Sequence, residues 1–195
     1  MEKKKLVLMR HGETLFNRKG RNQGWVDSPL TDLGIAQAKY ARVWIDSCNF
    51  DFDHAYSSTS ERASDTLELV TDMPYTRLKG LKEWNFGERD GEPSCENPLV
   101  DQYSAYFKSH GGESREEVME RISDTLSQIM DLTDHHTVLV VSHGGAIRNF
   151  EHKWHRADRD LIKTRLHNCA VLVFDYDPQE KSFALCDLFN PDYRG

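Results

Sequence analysis

The sequence predicts an α/β fold, a three-layer α/β/α arrangement with a mixed, mainly parallel sheet and helices on both faces. Three observations lead there. The apolar runs "LVLM" at 6–9 and "VLVV" at 138–141 are of strand length and lack polar alternation, as strands covered on both faces do. Segments of helical periodicity alternate with such runs. Two further runs, "CAVLVFDYD" and "SFALCDLFN", stand together late in the chain and read as a closing pair of strands.

Taken in order, the first strand at 6–9 stops at Arg10, His11 and Gly12. Thr31 is placed to cap a helix through "LTDLGIAQAKYARVWIDS", where Leu33, Ala36, Tyr40, Val43 and Trp44 recur at helical spacing. "DHAYSS" reads as a short second strand. A helix follows from near Thr59 or Ser60, with Ala63, Leu67 and Val70 on one face. Residues 81–110 hold glycines, two prolines and no sustained period, so loop is expected, with one short helix around 99–107. Helix returns in "GESREEVMERISDTLSQIMDL", where Val118, Ile122, Leu126 and Ile129 form an apolar stripe. After the strand at 138–141, "GGAIRNFEHKWH" starts a helix at its glycines.

A chain of 195 residues suits one domain, 1–195, in which 84–112 forms a small loop or cap on the ligand side. Its 29% charged and 38% hydrophobic residues are ordinary for a globular protein. A net charge of −7 argues against nucleic-acid binding, which needs a concentrated basic surface. An anionic small molecule needs only a local positive cluster. Cys48, Cys95, Cys169 and Cys186 are scattered without a CxxC pair, as reduced thiols are. The apolar part of "MEKKKLVLM" is too short for a signal peptide, and no run reaches the length of a membrane span. A cytoplasmic monomer or homodimer, with neither nucleic acid nor membrane as partner, is expected.

Chemistry concentrates where the buried strands stop. Arg10-His11-Gly12 ends one and Ser142-His143-Gly144 ends another, and in such sheets ligands bind at the carboxyl ends of strands. Glycine permits a sharp turn and close approach of backbone to ligand. A helix starting at Gly144 would aim free N–H groups at the same place, which favours an anion. Arg62 follows the second strand at the same edge. A lone histidine at a strand end is usually structural, and a lone arginine usually solvated. Two histidines at matching positions are harder to assign that way. With Arg10 and Arg62 expected on neighbouring strand ends as planar forks, phosphate is the anion that suits. His152 and His155 have a spacing that metals use but no third ligand, while His135 and His136 sit in a polar turn and read as surface. No Walker-type phosphate loop is present.

In these residues the chain resembles the histidine phosphatase superfamily, which includes cofactor-dependent phosphoglycerate mutases. The likeness runs through "LVLMRHGETLFNRKGRNQGWVDSPLTDLGIAQA", "YSSTSERASDTLE", "LKEWNFGERDGE", "GGES" and "VLVVSHGGAIR", in the family's order. It implies a phosphate pocket of Arg10, His11, Arg62 and His143, bordered by Asn17, Gln23, Gly24 and Gly144. It also implies His11 as nucleophile and Glu83 as proton donor, acting on a small phosphorylated metabolite. Charge would be neutralised by Arg10, Arg62 and a protonated His143, without metal or cofactor. The chain departs from the family at Arg89 and Asp90, where relatives often carry an aromatic residue and glutamate. It also has Asn85-Phe86-Gly87 where mutases usually have His-Tyr-Gly, and only a short segment before "GGES". A phosphatase that hydrolyses small phosphomonoesters is therefore expected. A phosphoglycerate mutase and a non-catalytic phosphate- or phosphoprotein-binding relative stay open as alternatives.

Overall fold

A computed structural model describes residues 3–154 and 165–193. Six strands form one sheet: β1 (Lys4–Arg10), β2 (His54–Ser58), β3 (Thr76–Leu78), β4 (Thr137–Ser142), β5 (Val171–Asp177) and β6 (Ser182–Phe189). Their order is β3-β2-β4-β1-β5-β6. The first four strands pair in parallel, and β5 and β6 close the sheet antiparallel. The sheet is mixed and mainly parallel, as the sequence predicts. The three-residue strand β3 is too short to announce itself by pattern and was not foreseen.

Side chains of the central strands alternate between two cores. Leu6, Leu8, Val138 and Val140 pack with Ile122, Leu126 and Ile129 of α5 (Arg115–Asp131) and with Ile147 and Phe150 of α6 (Gly144–Trp154). Val7, Met9, Leu139 and Val141 pack on the opposite face with Ala38, Ala41 and Ile45 of α2 (Asp32–Ser47) and with Ala63, Leu67 and Val70 of α3 (Glu61–Val70). Burying each such aliphatic side chain contributes about 1.5–3 kcal/mol. Helix starts follow their capping residues. Thr31 accepts from the Gly34 N–H at 3.0 Å, and Ser114 and Glu117 form a reciprocal capping box.

The α2 stripe turns out differently from its spacing. Leu33, Tyr40 and Val43 are exposed, while Gly34, Gln37, Ala38, Ala41 and Ile45 face the sheet. Close approach decides which face goes inward: a Cβ on Gly34 would stand 2.1 Å from the Glu13 carbonyl oxygen, so the small-residue face is the one that fits. Trp44 instead stacks on Phe189 at the edge of the sheet, 4.7 Å between centroids. His135 also departs from its surface reading. It is 3% exposed, and its Nε2 lies 2.7 Å from the Tyr56 hydroxyl, because the turn before β4 folds over the start of β2. His136 and His152 are exposed as expected; His155 lies outside the described residues.

The segment 84–112 consists of single 3-10 turns and the short helix α4 (Tyr103–Ser109). Its Trp84 and Phe107 pack on Val118 of α5 in a small separate cluster, flanked by Phe86, Tyr103 and Tyr106. Among the described residues no helix is long and apolar enough to cross a membrane.

Candidate active site

Because β1 and β4 are parallel neighbours, with Arg10 opposite Ser142, their two His-Gly ends emerge side by side. The rings of His11 and His143 stand 5.2 Å apart between centroids. Gly12 follows because α2 crosses directly over it: a Cβ there would meet the Gly34 carbonyl oxygen at 2.6 Å. The Gly12 N–H donates to Thr66 Oγ1 at 3.0 Å, tying the loop to α3.

The state of His11 follows from its partners. Its Nδ1 lies 2.7 Å from the Gly12 carbonyl, which can only accept, so the proton sits on Nδ1. Nε2 therefore carries a lone pair, and Arg62 Nε donates to it at 3.3 Å. Burial first, then the charges of Arg62 and Arg10, hold this imidazole well below its usual range. It is neutral near pH 7.

His143 is fully buried, and neither of its ring nitrogens has a partner. Burial, Arg62 and His11 hold it too well below the ordinary imidazole value. Among the protein's own groups the neutral ring is thus favoured; a phosphate dianion alongside would supply the opposing charge that favours the imidazolium. Arg10 donates from Nη1 to the Leu166 carbonyl at 2.6 Å, yet its buried Nε also lacks a partner. Burial pushes this guanidinium down to about 10, so it stays charged at neutral pH. A buried polar atom left unpaired costs about 1–3 kcal/mol, and three of them meet at this one strand edge. An anion with acceptor oxygens would supply partners to the N–H groups among them.

Arg62 is placed otherwise than expected. Its strand, β2, is separated from β1 by β4, so the two arginines flank the His143 strand instead of standing on neighbours. Its fork is turned toward the 23–27 loop. Nη1 donates to Val26 O and Asp27 Oδ1, and Nη2 to the carbonyls of Gln23 and Gly24. Only Nε faces His11. Arg62 therefore both shapes the loop and sets the field at the imidazole.

Gln23 and Gly24 form the wall behind this arginine. The Gln23 amide is held by Thr14 Oγ1 at 2.5 Å and by Ser28 Oγ at 3.0 Å. The N–H groups of Gly24, Trp25 and Val26 converge on the carboxylate of Asp90 at 2.7, 2.8 and 3.3 Å. Asp90 thus clamps the cap segment to the loop, while Arg89 pairs with Glu96 at 2.9 Å inside the cap. Asn17, in α1 (Leu15–Arg18), accepts from Asn168 Nδ2 at 3.0 Å. Asn168, Leu166 and the clamping role of Asp90 went unnoticed in the sequence. Only Asp90 left a signal there, as a departure from family pattern.

Glu83 lies at the start of α6. Its carboxylate accepts from the N–H groups of Trp84, Gly145 and Ala146 at 2.7–2.8 Å. The helix N–H groups expected to face an external anion are thus partly committed to this one. Gly144 and Gly145 fit between Arg10 and Glu83: a Cβ on the first would lie 3.2 Å from Arg10 Nε, and on the second 2.7 Å from Glu83 Oε1. Trp25 Nε1 and Arg121 Nη2 fix the Glu83 carbonyl at 3.0 and 3.1 Å.

Known proteins share this framework. The sequence is 32% identical to 2,3-bisphosphoglycerate-dependent phosphoglycerate mutase 2 of Bacteroides thetaiotaomicron over 216 aligned positions, covering 89% of this chain and 87% of that one. The fold is similar to that of a phosphoglycerate mutase from Bacillus anthracis, with a TM-score of 0.81 and 25% identity over 95% of this chain and 92% of that one. It is also similar to a phosphoserine phosphatase of Entamoeba histolytica solved with 3-phosphoglyceric acid, with a TM-score of 0.78 and 26% identity over 97% and 98% of the two chains. Residues 6–187 match the histidine phosphatase superfamily (branch 1), and it is to this family, shared by mutases and phosphatases, that the chain belongs.

Proposed function

We propose that the protein is a metal-independent phosphatase of small phosphomonoesters, working through a phosphohistidine on His11. The observation that carries this reading is the neutral imidazole whose Nδ1 proton is bonded to the Gly12 carbonyl, leaving the lone pair on Nε2 beside Arg62 Nε at 3.3 Å, with the unpaired nitrogens of Arg10 and His143 at the same strand edge. Nε2 attacks phosphorus as the ester P–O bond breaks, and Glu83, which takes a proton from the entering monoester monoanion, passes it to the departing oxygen. In the second half Glu83, now a carboxylate, takes a proton from water as the oxygen attacks phosphorus. The P–N bond breaks, and inorganic phosphate leaves. Arg10, Arg62 and His143, with Asn17, Gln23, Gly24 and Gly144 around them, neutralise and orient the phosphoryl group.

Hydrolysis is favoured over phosphoryl return by the size and attachment of the cap. The alignment to the Bacteroides thetaiotaomicron mutase spans 216 positions yet takes in 89% of a 195-residue chain, so that mutase carries internal residues this chain lacks. The phosphoserine phosphatase matches nearly end to end. A short cap packed on Val118 of α5 and pinned by Asp90 offers little chain to close over an intermediate and exclude water. The 32% identity to the mutase favours the second reading, phosphoglycerate interconversion. One tube separates them: 3-phosphoglycerate with catalytic bisphosphoglycerate, assayed for inorganic phosphate and for the 2-isomer. Phosphate release should dominate here and on other small phosphomonoesters, and isomer formation far outrunning it overturns the phosphatase reading. Rapid alkaline quench should trap an acid-labile, base-stable phosphate that His11→Ala lacks. Full activity in that variant removes His11 as nucleophile.

A further inference from the structure

We propose that the opposite edge of the sheet carries a site for one divalent transition-metal ion, zinc-like in its preference for nitrogen, formed by His54, His135 and Asp134. His54 opens β2, and His135 precedes β4; both lie at the amino ends of strands whose carboxyl ends lead to Arg62 and His143. One ligand atom from each of the three side chains lies within 4.8 Å of the other two.

Hydrogen bonding makes this more than proximity. Asp53 Oδ1 lies 3.0 Å from His54 Nδ1, so that nitrogen carries the proton and Nε2 has the lone pair. This lone pair faces Asp134 Oδ2 at 3.6 Å, acceptor against acceptor. That separation is too long for a hydrogen bond, but it suits two metal–ligand bonds of about 2.0–2.1 Å meeting at an ion. His135 Nδ1 lies 2.8 Å from Asp134 Oδ1, while its Nε2 lies 2.7 Å from the Tyr56 hydroxyl. Each histidine thus has an outer partner on one nitrogen, Asp53 or Tyr56, and turns the other toward Asp134. Ligating histidines are usually held in this way. On binding, His135 shifts to its Nε2–H tautomer and donates to Tyr56, which can accept.

Two movements complete the site. The imidazoles stack at 3.6 Å and 10°, so their in-plane lone pairs run nearly parallel, and His54, the more exposed ring, must tilt. Asp134, 71% exposed, swings inward as it gives up its contact with His135 Nδ1. Water takes the fourth position. Two imidazoles and one carboxylate disfavour magnesium and calcium, which want oxygen. The consequence is a clamp between β2 and the turn before β4, stabilising the fold without taking part in catalysis.

The test uses untagged, chelator-stripped full-length protein titrated with zinc alone by calorimetry, with Tm recorded alongside. The expected result is one ion per chain, a rise in Tm, and at least tenfold weaker binding in both His54→Ala and Asp134→Asn. Both variants should hydrolyse an aryl phosphate like the unaltered protein, which separates this site from the catalytic edge. Absence of zinc binding, or binding of unchanged affinity in both variants, overturns the proposal.

Discussion

Replacing Arg62 by lysine keeps the charge and removes the fork, so it isolates what the guanidinium geometry supplies. The arginine is fully buried and directs its donors at five acceptors: His11 Nε2, Val26 O, Asp27 Oδ1, Gln23 O and Gly24 O. An ammonium has three donors and reaches at most three of them. A single ammonium centre does not reproduce the spread of the planar fork across buried His11 Nε2, Gln23 O and Gly24 O, so at least one buried acceptor goes unpaired, at about 1–3 kcal/mol, which sets a loss of stability of at least ~1 kcal/mol. For a domain of this size that lowers Tm by at least about 2 °C. The 23–27 loop then loosens and the donor to His11 shifts, for which a drop of about 10²–10³ in kcat is expected, as when a preorganised donor is lost from an active site. Urea denaturation and steady-state hydrolysis of an aryl phosphate give the two numbers. Stability within ~0.5 kcal/mol of the unaltered protein, together with kcat within a factor of about three, would refute the reasoning.

Stability should also fall as pH drops below about 6.5. Above that value both buried histidines are neutral folded and unfolded; below it the unfolded chain takes up protons that His11 and His143 refuse, at up to ~1.4 kcal/mol per pH unit for each. The double variant His11→Gln/His143→Gln should flatten the slope between pH 6.5 and 5, and an unchanged slope assigns it elsewhere. Gly34→Ala places a methyl 2.1 Å from the Glu13 carbonyl and should cost about 1–3 kcal/mol in denaturant, so a neutral result contradicts the close α2 approach. Asp90→Ala should speed hydrogen exchange at the Gly24 and Trp25 amides, and equal exchange rates would mean the clamp does not hold that loop. Glu83→Gln should slow alkyl phosphates far more than aryl phosphates, whose phenolates leave with little protonation; equal losses remove Glu83 as leaving-group acid.

What could be read from the chain beforehand divides by the range of the interaction. Val118, Ile122, Leu126 and Ile129 were legible as a buried face because one residue type on one helix face is a local signal. The α2 face was misread because the deciding quantity was the distance to the Glu13 backbone, and that favoured Gly34 and Ala38 over Tyr40 and Val43. His135 looked like a surface residue of a polar turn until Tyr56, seventy-nine positions away, was found covering it.

The sequence by itself determined the layered α/β architecture, the two strands that end in His-Gly, and the set of groups from which a phosphate pocket could be made. These follow from apolar runs, helical periods and short motifs, all written within a few consecutive residues. Only the tertiary structure decided that β4 lies between β1 and β2, that Arg62 turns its fork to the 23–27 loop, and that Asp90 and Glu83 already hold N–H groups a ligand might have taken. It also decided which proton His11 keeps, and that His143 is neutral among its own neighbours. Hydrogen-bond partners and charge states depend on groups brought together from distant parts of the chain, and a linear pattern carries no distances between them.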